Sequence, residues 1–536
     1  MAIPSIDISS ADNYPKPDGI KFGYGTAGFR YNANILSSTV FRVGVLAALR
    51  SRYLGGKVIG VMITASHNPP PDNGAKIVDP AGDMLEEAWE TYATDLANAA
   101  TSQDLADRVN ELIKNLNIDI STPANVIYAR DSRESGPALV KALEAGLKAA
   151  HDAKSTDYGL LTTPQLHYLV KSLNTLKSAN SYGVPTEEGY YKKLANAYKK
   201  VLSGSEPYSI TIDAANGIGA PKVSELVKHL EGTIDMTLIN GKYEDPSLLN
   251  SSCGADYVKT NQRLPGGLDA DVPKLKLFCS FDGDADRIVF FYIDEDGKFR
   301  LLDGDKIATL AASFLKDLVQ ETNSGLNIGV VQTAYANGSS TEYLESVLKV
   351  PVVCTPTGVK HLHHAAQQFD IGVYFEANGH GTVLFHPDAV AKLQTFQVSS
   401  PAQKAAIDTL LALSDLVNQT VGDALSDLLL VLAILTIKRW NPADWNQSYT
   451  DLPNRLLKAE VRDRTMFKVT NAERTLVEPP LLQSQIDNLV QKYSQGRSFV
   501  RASGTENVVR IYAEAVTQTL ADELGVKVSH LLEAYK

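Results

Sequence analysis

Cysteine is scarce, with only Cys253, Cys279 and Cys354 in 536 residues. So few, so scattered, they exclude a disulfide framework and a CxxC metal site and point to a reducing compartment. Positive charge is also short: 51 Lys and Arg against 62 Asp and Glu give 51 − 62 = −11. A chain this acidic has no general attraction for nucleic acid or for an anionic membrane, so neither is an expected partner, and no obligate protein partner is evident. Any phosphate it handles must meet a local cationic pocket. Long apolar runs are missing too. The longest, Leu428 to Ile437, lies between Asp427 and Lys438; it falls well below the ~20 residues that span a bilayer and reads as a core helix. Met1 to Ser10 has neither the basic nor the apolar region of a secretory signal, so a soluble, cytoplasmic protein is expected. In that setting the Asn-x-Ser/Thr sites at Asn250, Asn337, Asn418 and Asn446 carry little meaning.

What is present is an ordinary globular balance, 44% apolar and 21% charged, in a chain too long for one core. At about 150 residues per domain it should form three or four. Short β-branched runs recur at Val58 to Thr64, Asn125 to Ala129, Ser209 to Asp213, Leu277 to Phe281, Ile328 to Thr333 and Val350 to Thr355. Helical spacing follows several of them, as at Pro221 to Leu230 and Ser340 to Leu348. The pattern predicts an α/β fold of repeated βαβ units with its chemistry in the loops at strand ends. Turn-formers gather around Ser178 to Pro185, Asp294 to Asp305 and Asn441 to Pro453. The expected domains are therefore 1–180, 181–297, 298–440 and a smaller one over 441–536.

Four loops carry the chemistry. Thr64 to Lys76 puts the hydroxyl of Ser66 at a strand tip and stiffens the chain with Pro69, Pro70 and Pro71. His67 and Lys76 are candidates there for a proton acceptor and a cation beside a phosphorylated Ser66, which would carry about −1.5 to −2 charges. In Phe281-Asp282-Gly283-Asp284-Ala285-Asp286-Arg287, three carboxylates at alternate positions turn toward one centre when the loop curls, and their repulsion calls for a cation. An EF-hand is excluded, since Arg287 stands where its glycine belongs and Ile293 where its glutamate belongs. With three protein oxygens, Mg²⁺ completed by water or a phosphate oxygen fits best. Arg501-Ala502-Ser503-Gly504-Thr505-Glu506 offers a guanidinium fork, hydroxyls and a glycine for a tetrahedral oxyanion, with Arg510 on the next strand. Glu376-Ala377-Asn378-Gly379-His380-Gly381 can grip a vicinal pair of sugar hydroxyls. Gly358 and Lys360, in a strand-to-helix loop, and Arg30, in a glycine-rich segment without a P-loop ending, supply further candidates. A nucleophile, a metal site, a polyol reader and an anion nest form the set of parts that phosphoryl transfer to and from a sugar uses.

These motifs, in this order, resemble the α-D-phosphohexomutases: Thr64-Ala65-Ser66-His67-Asn68-Pro69 is similar to their phosphoserine loop, Asp282 to Arg287 to their metal loop, and Arg501 to Glu506 to their phosphate loop. The sugar loop Glu376 to Gly381, with Pro70 to Lys76 and Leu161 to His167, resembles the phosphoacetylglucosamine mutase branch. The resemblance implies three similar mixed α/β domains and a smaller α+β C-terminal domain around a central cleft. It implies interconversion of N-acetylglucosamine 6-phosphate and 1-phosphate, toward UDP-N-acetylglucosamine, through phosphorylated Ser66 and a 1,6-bisphosphate that also serves as activator. Ser66 (through its phosphate), Asp282, Asp284 and Asp286 would hold Mg²⁺. Glu376, Asn378, Gly358, Arg501, Ala502, Ser503, Gly504, Thr505 and Arg510 would bind substrate, and Ser66, His67, Arg30, Lys76, Lys360 and His380 would act in catalysis. Alternatives are a glucose- or mannose-phosphate mutase, a sugar-phosphate phosphatase and a non-catalytic binding protein.

Overall fold

The computed structural model describes residues 6, 8–151, 153–178, 180–202, 206–503 and 507–536. Contacts divide the chain into two units: residues 1–303 with 411–441, and residues 304–410 with 442–536.

The first unit holds two five-stranded sheets built alike. In one, β2 (Val58–Ile63) runs parallel to β4 (Asn125–Arg130), which runs parallel to β5 (Lys154–Leu160). On its other side β2 pairs antiparallel with β3 (Asp72–Val78), and β3 with β1 (Phe29–Asn32). In the other sheet β6 (Tyr208–Asp213) lies parallel to β7 (Ile234–Ile239) and β8 (Phe278–Phe281). There β8 turns back antiparallel into β9 (Ile288–Ile293), and β10 (Phe299–Leu302) closes the edge. Helices with buried faces cover the sheets. Ser37–Tyr53 crosses Gly136–Ala149 at Gly44 and Gly146, where a Cβ on Gly146 would stand 1.9 Å from the Phe41 carbonyl oxygen; only a missing side chain allows that approach. The expected core helix is present as Ala424–Lys438, apolar on nearly every side and buried over most of its length. No helix among the described residues is long and apolar enough to cross a membrane.

The second unit repeats the plan once. β11 (Ile328–Thr333) lies parallel to β12 (Val352–Thr355) and β13 (Ile371–Phe375), and β13 returns antiparallel as β14 (Gly381–Phe385). The C-terminal segment has an antiparallel sheet of β15 (Asn454–Glu460), β19 (Val508–Glu514) and β18 (Arg497–Ala502). It also has a hairpin of β16 (Lys468–Thr470) and β17 (Thr475–Glu478), and the helices Leu482–Val490 and Gln518–Leu531.

The repeat is thus not βαβ throughout. In each of the three larger sheets one parallel strand, β2, β8 or β13, ends in a hairpin back onto itself, and each of those hairpins carries one predicted motif. The reading of Thr64 to Lys76 as one loop is corrected in its second half: β3 begins at Asp72, because Asp72 to Ala75 find backbone partners in β1 and Ala75 to Val78 find them in β2. Lys76 therefore projects from a strand. The helix expected over Ser340 to Leu348 runs as Gly338–Glu342 and then widens into a π-type turn over Tyr343–Val347.

Candidate active site

Ser66 follows β2 with φ +49°, a left-handed conformation that costs a non-glycine residue about 1–3 kcal/mol and persists only when its surroundings hold it. The surroundings are specific. The Ser66 backbone N–H donates to Thr64 Oγ1 at 3.0 Å, and the Thr64 hydroxyl donates to buried Asp131 at 2.7 Å. The Ser66 carbonyl oxygen accepts from Arg133 and from Asn250, each at 2.9 Å. Arg133 spends all five of its N–H donors here: one on Asp131 and the others on the carbonyls of Ser66, Asn68, Pro69 and Asp72, at 2.7 to 3.0 Å. Arg133 and Asn250 were missed in the sequence. Arg133 follows β4 directly, so its place in a loop at a strand end was the available signal; nothing local marks Asn250.

The Ser66 side chain is fully buried and meets three groups. Its Oγ accepts from Arg30 at 2.8 Å and from Lys76 at 3.2 Å, and donates to Asp284 Oδ2 at 3.1 Å, across 218 residues of sequence. The acidic loop lies against it closely enough that a Cβ on Gly283 would stand 2.5 Å from the Ser66 carbonyl oxygen. Within that loop the Asp282 carboxylate turns the chain by accepting from the backbone N–H groups of Asp286 and Arg287, both at 3.1 Å, and Ala285 takes φ +56°. Asp282, Asp284 and Asp286 each present a ligand oxygen within 4.8 Å of the others, as read from their spacing. Asp282 Oδ2 and Asp284 Oδ1 are buried and accept no hydrogen bond among the described residues. Burial, then Asp286 and Asp284, pushes the Asp282 carboxyl well above the usual carboxylate range. Three hard oxygen donors with unmet acceptor capacity and mutual repulsion fit a divalent cation such as Mg²⁺.

Lys76 lies 3.3 Å from Asp284 and 3.2 Å from Asp286, and Arg287 flanks Asp282 and Asp286 at 3.9 and 3.7 Å. Burial, then Arg287, lowers the basicity of Arg30. Burial with Arg287 and Arg30 pushes the His67 imidazole down to about 2, and its ring makes no hydrogen bond to Ser66. A ring so weakly basic is neutral at physiological pH and poorly suited to accept a proton.

In the second unit, Glu376 to His380 connects β13 and β14 as a tight turn in which the Glu376 N–H donates to the His380 carbonyl at 2.8 Å. The Asn378 side-chain Oδ1 accepts from the His380 N–H at 2.9 Å, and its side-chain amide nitrogen lies 3.4 Å from the Glu376 carboxylate, so the two polar side chains stand side by side. His380 itself is buried. Gly358, at φ +129°, precedes the helix Val359–Ala366, which carries Lys360 in its first turn. Arg501 and Arg510 are direct register partners on β18 and β19, which puts both cationic side chains on one face of the sheet. Arg501 pairs with Glu473 at 2.7 Å and donates to the Tyr335 hydroxyl at 3.2 Å; Glu473, unforeseen in the sequence, also accepts from the Thr357 N–H at 2.9 Å. Ala502 ends β18, and the Ser503 N–H donates to the Val508 carbonyl. Gly504 and Thr505 lie outside the described residues.

Known proteins match along this whole frame. The family models "Phosphoacetylglucosamine mutase AMG1, domain II" and "domain III" match residues 180–289 and 303–440. "Phosphoglucomutase/phosphomannomutase, alpha/beta/alpha domain I" matches 45–104 and 94–181, and its "C-terminal domain" matches 457–531. Four matched domains of mixed α/β type make this a four-domain architecture. The phosphoacetylglucosamine mutase of Candida albicans is 55% identical over 97% of this chain and 98% of its own. The structure of Aspergillus fumigatus N-acetylphosphoglucosamine mutase in complex with GlcNAc-6P and magnesium superposes with a TM-score of 0.95 at 52% identity, covering 100% of both chains. A serine-to-alanine variant of the same Aspergillus enzyme is known in complex with glucose 1,6-bisphosphate. With acidic trio and buried serine in one pocket, and full-length relatives of this identity, the chain belongs to the phosphoacetylglucosamine mutases of the α-D-phosphohexomutase superfamily.

Proposed function

We propose that this chain interconverts N-acetylglucosamine 6-phosphate and N-acetylglucosamine 1-phosphate through phosphorylated Ser66 and a 1,6-bisphosphate, which also serves to activate the enzyme. The observation that carries this is the 3.1 Å contact between Ser66 Oγ and Asp284 within a buried acidic trio. Asp282, Asp284 and Asp286 would hold Mg²⁺, which when bound neutralises and polarises phosphate oxygens. Arg30 and Lys76 already direct their positive charge at Ser66 Oγ and would hold the phosphate there through its arrival and departure. Local charge supports the pairing of metal and phosphate. With the trio ionised, as metal binding requires, three carboxylates face three cations, Arg30, Lys76 and Arg287, and the charges sum to 3 − 3 = 0. A divalent cation and a phosphate of about −2 enter together without leaving net charge in a buried site, whereas either alone leaves two charges uncompensated.

The remaining roles are part of the same proposal. Glu376 and Asn378 grip ring hydroxyls that look alike in both orientations of the bisphosphate, so one site serves both half-reactions. Arg501, Ala502, Ser503, Gly504, Thr505 and Arg510, with Gly358, bind the phosphate that is not reacting. Lys360 and His380 serve charge stabilisation and proton transfer, while His67 acts as a neutral group beside Ser66. Residues 1–180, 181–297, 298–440 and 441–536 divide the labour among phosphoserine, metal, sugar and phosphate. The three cysteines are free thiols, which suits work in the cytoplasm. The test is to incubate the protein with N-acetylglucosamine 6-phosphate, Mg²⁺ and a trace of glucose 1,6-bisphosphate and follow the phosphorus resonances. Formation of the 1-phosphate is expected, with turnover lost by orders of magnitude in Ser66→Ala and no phosphate on that variant by intact mass. Release of inorganic phosphate without isomer would make the protein a phosphatase, and a preference for glucose 1-phosphate would assign it to the sibling mutases.

A further inference from the structure

Asp284 Oδ2 receives three donors: the Thr163 hydroxyl at 2.6 Å, the Ser66 hydroxyl at 3.1 Å and Lys76 at 3.3 Å. They are not equivalent. Lys76 divides itself among Ser66 Oγ, Asp284 and Asp286, all at 3.2 to 3.3 Å. Ser66 donates only while its hydroxyl carries a proton; once phosphorylated, its Oγ is an ester oxygen and the bond to Asp284 is gone. Thr163 alone is both neutral and indifferent to that change. It is also the shortest contact, and its backbone N–H donates to the Asp284 carbonyl oxygen at 3.3 Å, so one residue fixes both side chain and main chain of the aspartate. Thr163 is itself enclosed and held by its helix cap. It is 1% exposed and opens the helix Thr163–Thr175, where Thr162 Oγ1 accepts from the Gln165 N–H at 3.2 Å and Gln165 Oε1 accepts from the Thr162 N–H at 3.1 Å. The Gln165 amide is tied in turn to the Tyr191 hydroxyl at 3.1 Å.

We infer that Thr163 is the positioning residue that holds Asp284 Oδ2 through the phosphorylation cycle of Ser66, leaving the buried Oδ1, which meets no donor among the described residues, for the cation. The inference rests on the reading that the acidic trio holds a divalent metal. Its test is Mn²⁺ binding to the full-length protein, measured by electron paramagnetic resonance, before and after Ser66 is phosphorylated with glucose 1,6-bisphosphate. Hydrogen-bond partners of metal ligands typically account for about 10–100-fold in affinity. Thr163→Val, which keeps the shape and removes the donor, should weaken Mn²⁺ by about 10-fold in the dephosphorylated form, where Ser66 still donates, and by more in the phosphorylated form. Thr163→Ser should bind as the parent does, and the KM for N-acetylglucosamine 6-phosphate should move far less than Mn²⁺ affinity. Should the valine variant fail to fold, Thr163→Ala removes the same hydroxyl without adding apolar volume. Parental affinity in the valine or alanine variant, an equal loss in both forms, or failure of serine to rescue overturns the inference. A parent protein that binds no Mn²⁺ overturns the metal reading instead.

Discussion

Arg133→Met would test whether the nucleophile is held by its loop or by its reaction partners. Methionine keeps most of the apolar stem but none of the five donors. Asn250 still reaches the carbonyls of Ser66 and Asn68, at 2.9 and 3.2 Å, so those two keep a partner. The carbonyls of Pro69 and Asp72 lose their Arg133 donor, and Asp131 loses its counter-ion in a fully buried site. Breaking a buried ion pair by removing one member costs about 3–5 kcal/mol. Part of that is relieved, because burial already raises the Asp131 carboxyl while Arg133 pulls it down; without Arg133 the acid keeps its proton. The lower end, about 3 kcal/mol, is therefore the expected cost. At 1.4 kcal/mol per factor of ten it corresponds to a loss of about 100-fold in the fraction of molecules with Ser66 in its strained, competent geometry. Turnover and the rate at which Ser66 takes phosphate from glucose 1,6-bisphosphate should fall together by about that factor. Arg133→Lys, with charge restored but fewer and differently aimed donors, should lie between. If the methionine variant turned over within about threefold of the parent, the bracing argument would be wrong.

Two further outcomes follow from buried acids. Exhaustive chelation should abolish mutase activity, since the trio's repulsion is then uncompensated, and Mg²⁺ should restore it; activity that persisted without divalent metal would remove the metal assignment. Asp427, in the first turn of the helix Ala424–Lys438, has both carboxylate oxygens buried without a hydrogen bond among the described residues, and burial with Asp423 raises it well above its ordinary value of 3.8. The folded state then binds a proton that the unfolded state releases, so stability falls as pH rises from the unfolded value toward the folded one. Asp427→Asn should accordingly melt higher than the parent, by a margin that grows as pH rises above the ordinary carboxylate range; a margin that stays flat as pH rises would show the acid to be satisfied by other means.

Short-range features of the chain fixed the motifs and most strands. The run Ile328 to Thr333 is β11 as read, and the acidic loop was legible because three carboxylates two apart have few other uses between apolar strands. The strand start at Asp72 was misread, because it is decided by β1, a strand 40 residues earlier in the chain, with β2 joining from Ala75. The roles of Arg133, marked only by its place at a strand end, of Thr163, inside the Leu161 to His167 motif, and of Asn250 and Glu473 were hidden for a related reason. Each is an ordinary polar residue in its own segment and gains meaning only from what stands opposite: the carbonyls of the Ser66 loop, the carboxylate of Asp284, the guanidinium of Arg501. The basicity of His67 likewise could not be read from Ser-His-Asn-Pro, since burial and two distant arginines set it. Composition and spacing determine which groups a loop can offer, because those are properties of the residues themselves. Which group donates, which is neutral and which is braced depends on distance and on exclusion of water, and only the folded chain sets these.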